Sequence, residues 1–288
     1  MTISCVTPTP DELPAVVAAL AAWQRPDTPA QVHPGDVGWF WRFGVDRTAA
    51  AVRVWQRAGV TVAVGLLDEP DMLRVAVDPQ LLRDDELGAQ LAADAAEPDR
   101  GVLIEGTVYV DAPEGSRVRD LLTQDGWRLD DPWTPLYRDL AEPVEDPGVA
   151  VEVVGPDTAS VRTAVQRASF DGSTFTDERW HAMAAGSPYA DAHCLLARDR
   201  SGEPVAAVTV WSAGPGRPGL LEPMGVHRDF RGAGHGRAIT LAAAAALREL
   251  GACQAVVQTP SSNVGAVATY CAAGFQPQPE IRAHVRKA

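Results

Sequence analysis

A chain of 288 residues that is 46% hydrophobic and 22% charged is long enough for two soluble domains, each with its own core. A formal net charge of −13 repels phosphate backbones, so nucleic acid is not an expected partner; it suits a cationic small substrate, or simply solubility. No apolar run reaches bilayer length and MTISCVTPTPDELP lacks a basic start before an apolar core, so the expectation is a cytoplasmic protein with neither membrane span nor secretory signal.

In chain order, Asp11–Trp23 has a helical period and Arg47–Ala58 reads as a second helix. Between them QVHPGDVGWFWRFG, with Trp39 and Trp41, belongs either to a surface packed on the other half or to a private core. VTVAVGLLD and DMLRVAVDP read as strands, Asp84–Ala96 as a helix, GTVYVDA as a strand and Ser116–Gln124 as a helix, followed by Gly126-Trp127. The seam falls at AEPVEDPGVAVEVVGPD, residues 141–157, which is rich in proline and acid; domains are expected at 1–142 and 150–288.

Past the seam, Val151–Val154 alternates like a strand, Asp157 or Thr158 caps a helix, and helices continue to about residue 186. CLLARD and VAAVTVW are strands joined by the turn residues Asp199–Glu203. GLLEPMGV is a further strand. Its Pro223 cannot donate to a ladder, so a bulge or an open edge is expected there. A helix from Gly234 to Leu250 stops at Gly251, ACQAVVQT is a buried strand, Asn263–Ala273 is a helix ending at Gly274, and Phe275 opens a last strand region. This is an α/β order, an α+β mixed sheet with connecting helices. The first half repeats it faintly, with Gly126-Trp127 echoing Gly274-Phe275, which implies two tandem copies of one fold.

Cys5, Cys194, Cys253 and Cys271 form no C-x-x-C pair, and the six histidines are scattered, so no metal is expected. Cys253 and Cys271 lie in apolar surroundings and are expected in the core.

The chemistry concentrates in VHRDFRGAGHGRAITLAAAAALRELGA. Gly232, Gly234 and Gly236 stand between a strand and a helix, where glycine lets the backbone turn sharply and approach a ligand. The first N–H groups of the helix have no internal partner, and the helix dipole adds positive potential, which suits a pyrophosphate. Arg231 and Arg237 add cations around the loop. A P-loop ending fails, because Arg237-Ala238 follows Gly236. A dinucleotide fingerprint fails on spacing, position and the lack of a following acid. The pattern R/Q-x-x-G-x-G/A fits Arg231, Gly232, Ala233, Gly234, His235 and Gly236; a glycine-rich turn without ligand is the plainer alternative.

Residues 151–288 resemble the GNAT family of N-acetyltransferases. GLLEPMGV, HRDFRGAGHG, RAITLAAAAALREL, AVVQT and NVGAVATYCAAGF come in that family's order, and Asn263, Tyr270, Gly274 and Phe275 match a second motif, N-x6-Y-x3-G-F. EPMGVHRDFRGAG also resembles a bacterial tandem-GNAT subgroup. The resemblance implies two acyl-CoA N-acyltransferase folds, and acetyl-CoA as co-substrate in a gap between two splayed strands. Main-chain groups near Met224 and Val226 would bond the pantetheine arm, amides from Gly232 to Arg237 the pyrophosphate, and Asn263 the arm or its own helix. Tyr270 would be the general acid and Glu222, flanked by Leu221 and Pro223, the general base; a core tyrosine and a solvated glutamate are the plainer readings. His227 and His235 are weaker candidates, expected to be exposed. Phe175, Trp180, Tyr189 and Trp211 form either an acceptor slot or plain core.

The first half departs where the chemistry lies. Matching its Val-rich strand puts Leu82 at Arg231 and sets Arg83, Asp84 and Asp85 against Gly232, Ala233 and Gly234; Leu122 falls at Tyr270 and Gly115 at Asn263. This copy is therefore expected not to bind CoA. The expected activity is acetyl transfer from acetyl-CoA to an amine of a small molecule or peptide by direct attack. A CoA-binding sensor or scaffold, or transfer of another acyl group or to a hydroxyl, is the alternative; monomer and homodimer both stay open.

Overall fold

The computed structural model describes residues 2–288. In chain order the first elements are β1 (Ile3–Val6), α1 (Leu13–Trp23), α2 (Pro34–Phe40), α3 (Val45–Ala51), β2 (Val52–Arg57), β3 (Val60–Glu69), β4 (Met72–Val77), α4 (Asp85–Ala96), β5 (Val108–Asp111), α5 (Arg117–Gln124), β6 (Arg128–Leu129) and β7 (Trp133–Asp139). Then come β8 (Ala150–Val153), α6 (Ala159–Ser169), α7 (Asp177–Ala184), β9 (Ala192–Arg198), β10 (Pro204–Trp211), β11 (Pro218–Val226), α8 (His235–Glu249), β12 (Gln254–Pro260), α9 (Val264–Ala272), β13 (Gln276–Pro277) and β14 (His284–Arg286). No helix among the described residues is long and apolar enough to cross a membrane.

The strands form two seven-stranded sheets, ordered β1-β2-β3-β4-β5-β14-β6 and, read from its other edge, β8-β9-β10-β11-β12-β7-β13. The two orders are the same once β7 and β14 are exchanged: each sheet receives in that place a strand from elsewhere in the chain. In each, the fourth and fifth strands pair in parallel over three residues, Met72–Arg74 with Tyr109–Asp111 and Pro218–Leu220 with Gln254–Val256. The expected pair of mixed sheets is present.

The compact units are not the two contiguous halves expected. One comprises residues 1–33, 45–133 and 280–288; the other comprises 34–44 and 134–279. Strand exchange explains the C-terminal segment, since β14 pairs with β5 and β6. In the second unit, ideal Cβ atoms at Gly35 and Gly38 of α2 would lie 2.5 and 2.4 Å from Trp211, so these two positions exclude any side chain.

In the first unit Arg47–Ala58 is not one helix. α3 stops at Ala51, and Val52–Arg57 pairs with both β1 and β3. Val52, Val54 and Trp55 are buried there, and β-branched residues favour a pleated strand over a helix. The Trp55 indole donates to Asp94 at 2.7 Å within the core.

His284 sets an acid limit on this unit. It is 1% exposed, its Nε2 lies 2.9 Å from the Thr123 hydroxyl and its Nδ1 has no partner among the described residues. Burial, with the Arg119 cation adding to it, holds its pKa down to about 4. The folded value lies below the unfolded one of about 6.5, so the stability this neutral ring contributes is complete above pH 6.5 and is lost as pH falls towards 4. Between pH 7.5 and 5 the loss is about 2 kcal/mol. Denaturant unfolding at the two pH values measures it, and His284→Gln removes that share; an unchanged pH dependence in the variant would refute the assignment.

In the second unit alternate residues of the central strands serve two layers. Leu195, Ala197, Ala206, Val208 and Val210 pack with Ile239, Leu241, Leu247, Tyr270 and Phe275 from α8, α9 and beyond. Cys194, Leu196, Ala207 and Trp211 pack with Val165, Phe175, Trp180 and Met183 from α6, α7 and their connection. The cysteine expectation fails. Cys194 is buried, but Cys253 is half-buried and Cys271 exposed, because α9 buries only Tyr270 and the next residue turns about 100° away.

Candidate active site

The site grows from the end of the β11–β12 ladder. Their pairing stops at Leu220 and Val256, yet β11 runs on to Val226 and β12 to Pro260. Past Leu220 the strands splay, and the β12-facing edge of β11 has no ladder partner; Met224 and Val226 lie on this stretch. Against β10 on its other side, β11 places Leu221 opposite Val210 and Met224 opposite Val208. Three steps on β11 thus match two on β10, a β-bulge at Glu222 and Pro223, as Pro223 implied. The Glu222–Pro223 peptide is cis. The Trp211 indole donates to the Glu222 carbonyl at 2.6 Å and so satisfies a backbone acceptor the bulge takes out of the ladder. Glu222 itself is half-buried.

β11 leads through a short 3-10 turn, Arg228–Phe230, into the glycine loop and α8. Gly232 and Gly234 have φ of +79° and +85°, the left-handed region that side chains with a Cβ enter only at a cost. Gly236 is different: a Cβ there would stand 2.9 Å from Thr269 Cγ2 on α9. The first amide of this stretch with an acceptor in the chain is Ala238, to Gly234 O at 3.1 Å. Among the described residues, the N–H groups of Gly232, Ala233, Gly234, His235, Gly236 and Arg237 have none. That is an anion cradle of main-chain donors at the positive end of a 15-residue helix.

The arginines hold the cradle rather than line it. Arg231 donates to Ser169 O at 2.6 Å and Arg228 to Ala168 O at 2.9 Å, both at the C-terminus of α6; Arg237 donates to Ala272 O at 2.8 Å at the end of α9. Cations at helix C-termini are favourable there. Gly225 permits this docking, since a Cβ on it would meet Ser169 Cβ at 2.5 Å. Sequence reasoning missed Arg228 and Gly225; for Gly225 the signal was a glycine at the second position of MGV, inside a strand, which often marks close backbone approach. His227 and His235, expected exposed, are half-buried because both edge onto Phe230, at 5.2 and 6.5 Å between ring centroids.

Tyr270 projects from α9 into the α8 layer, 5% exposed and 6.0 Å from Phe275 by ring centroid. Burial pushes its phenol well above the ordinary tyrosine range, so the hydroxyl carries its proton at neutral pH. Asn263 caps α9, accepting from Ala266 N–H at 3.2 Å. Phe175, Trp180 and Trp211 are 3%, 2% and 1% exposed, and Tyr189 edges onto both Trp180 and Trp211. The four rings thus form one closely packed layer. No group of three or more His, Cys, Asp or Glu side chains converges among the described residues.

The first unit offers the internal comparison. There the turn Pro79–Leu81 is followed by residues 82–84 before α4, where the second unit has 231–234 between its turn and α8, so the loop is one residue shorter. The ungapped match is therefore off by one: Asp84, not Asp85, stands at the helix cap where Gly234 stands in the other copy. Its carboxylate accepts the Leu87 amide at 2.8 Å and pairs with Arg57 at 2.7 Å, which holds its pKa low. Likewise Ser116, not Gly115, takes the cap position of Asn263. Leu122 does occupy the Tyr270 position: Trp127 N–H bonds Leu122 O at 3.0 Å, as Phe275 N–H bonds Tyr270 O at 3.1 Å.

Residues 162–275 match the family model of the acetyltransferase (GNAT) family. The stretch with the splayed strands, cradle and Tyr270 is a GNAT domain, and with the same sheet in the first unit the chain is a tandem of two GNAT folds. The GCN5-related N-acetyltransferase from Sphaerobacter thermophilus is similar over 99% of this chain and 95% of its own, at 23% identity and TM-score 0.60. A tandem GNAT protein from the clavulanic acid biosynthesis pathway is similar over 99% and 98%, at 18% identity and TM-score 0.59. An acetyltransferase of the GNAT family from Colwellia psychrerythraea is similar over 100% of both chains, at 15% identity and TM-score 0.60. These likenesses concern the fold. No curated protein sequence matches the chain.

Proposed function

We propose that the second unit transfers an acetyl group from acetyl-CoA to an amine of a small molecule or peptide, by direct attack. The observation that carries this reading is the run of main-chain N–H groups from Gly232 to Arg237 with no acceptor among the described residues, after a strand pair whose ladder ends early. These donors fit a diphosphate, and the unpaired edge of β11 about Met224 and Val226 fits the amides of a pantetheine arm. Bound acetyl-CoA supplies an activated acyl group as a thioester. Glu222, half-buried at the bulge, takes the proton of the incoming amine, directly or through one water. A β11 amide beside the bulge polarises the reacting carbonyl. Tyr270, protonated at neutral pH, supplies the proton to the departing thiolate. Asn263 fixes the start of the helix that carries Tyr270.

The first unit, in this reading, does not bind CoA. Asp84 already occupies the α4 cap and sets a carboxylate where the diphosphate would lie. Cytoplasmic location and the monomer or homodimer state belong to the same proposal.

Thiol release from acetyl-CoA over an amine library, with the full chain, tests the reading. Turnover with at least one amine is expected, and Glu222→Gln lowers kcat by about 100-fold with CoA affinity unchanged. Tight CoA binding with no turnover on any amine would favour a sensor over an enzyme.

A further inference from the structure

The second unit contains a cation the transfer chemistry does not use. Arg162, on α6, is 0% exposed. Its Nε donates to Cys194 Sγ at 3.3 Å and its Nη2 makes a long contact to Thr209 Oγ1 at 3.4 Å; neither partner is a carboxylate. Among the described residues its Nη1 is buried with no partner, and so is Nε1 of Trp180, which packs with Phe175. Phe175, on the connection 170–176, lies over the guanidinium at 4.6 Å, with Trp39 stacked on it at 5.3 Å. Arginine does not lose its proton in proteins, so the interior holds a full charge with no carboxylate paired to it among the described residues. A trapped water could satisfy Nη1 but would leave the charge unbalanced.

The position points to the reacting centre. Thr209 lies between Val208 and Val210 on β10, opposite the bulge at Glu222 and Pro223. The guanidinium therefore sits one side chain below the bulge, on the face packed by α6 and α7. We infer that Arg162 receives the carboxylate of the acceptor, so that the substrate is an amine bearing a carboxylate on an apolar body. This rests on the acyl-transfer reading and specifies its substrate. Nη1 and the Trp180 indole offer two donors, the aromatic layer covers the apolar body, and entry displaces the Phe175 ring. An unpaired buried cation disfavours the folded state until an anion arrives.

The test is a titration of the full chain, first with CoA and then, in its presence, with N-acetyl amino acids and their primary amides as product probes. The acids are expected to bind at least about 100-fold tighter than the amides, the amide leaving the guanidinium without a counter-charge. Arg162→Met is expected to melt no lower than the parent, since it replaces an unpaired charge by an apolar chain of similar size, and to bind acid and amide alike. CoA binding with no acid preference in the unmodified protein overturns the inference and leaves the acyltransferase standing. A large fall in melting temperature for Arg162→Met, with the acid preference intact, makes the residue structural and overturns it too. Failure of CoA itself to bind removes the acyltransferase reading, and this inference with it.

Discussion

Gly234→Asp, in the full chain, is expected to keep the fold and to weaken coenzyme A binding by at least about 100-fold, while Gly234→Asn keeps it within about tenfold. Gly234 caps α8 at φ +85°, and of the residues with a Cβ, Asp and Asn tolerate that region best. The change copies the first unit, where Asp84 caps α4 by accepting the Leu87 amide at 2.8 Å. An aspartate there both engages an amide the diphosphate needs and sets a negative charge beside it. Two unit charges about 4–5 Å apart near a protein surface repel by about 3–4 kcal/mol, which exceeds 100-fold. Asparagine has the same shape and capping oxygen without the charge, so the pair separates electrostatics from geometry. Calorimetric titration gives both constants; equal losses in the two variants would mean that charge exclusion does not explain the first unit.

Tyr270→Phe is expected to lower kcat by about 100- to 1000-fold, with CoA affinity and melting temperature essentially unchanged. The ring belongs to the α8 layer at 5% exposure, and phenylalanine preserves that packing. Among the described residues the hydroxyl has no hydrogen-bond partner, so its deletion orphans nothing there. What the variant lacks, in the proposed mechanism, is the protonated donor for the departing thiolate. A kcat within threefold of the parent would return Tyr270 to the core and leave the departing thiolate to solvent.

Much of this site is written locally in the chain. Three glycines before an alanine-rich helix, a proline in a strand and N-x6-Y-x3-G-F each act through neighbours a few residues away, and cradle, bulge and cap stand where those signals place them. The bulge is the clearest case, because a proline in a ladder has few alternatives. What was illegible is non-local. β2 looked helical because Trp55, directly after Val54, breaks the alternation begun by Val52, Arg53 and Val54, and only pairing with β1 and β3 makes it a strand. β14 has only three residues and β7 carries Pro135 within it, and nothing near either in sequence says which sheet it joins. The segment 34–44 joined the second unit through Trp211, more than 170 residues away; two glycines three apart in a helix, at about 1 kcal/mol each, were the available sign that an aromatic lies against them. Arg162 reads as a surface position in SVRTAVQR, and only its burial distinguishes it.

The central claim is a bare main-chain cradle in the second unit alone. Backbone amide NMR of the full chain, titrated with coenzyme A, tests it most directly. The expected result is one molecule per chain, with the amides of Gly232 to Arg237 shifting and those of Asp85 to Leu87 at the start of α4 unmoved. No shift at the glycine loop, or a second molecule shifting the start of α4, would contradict it.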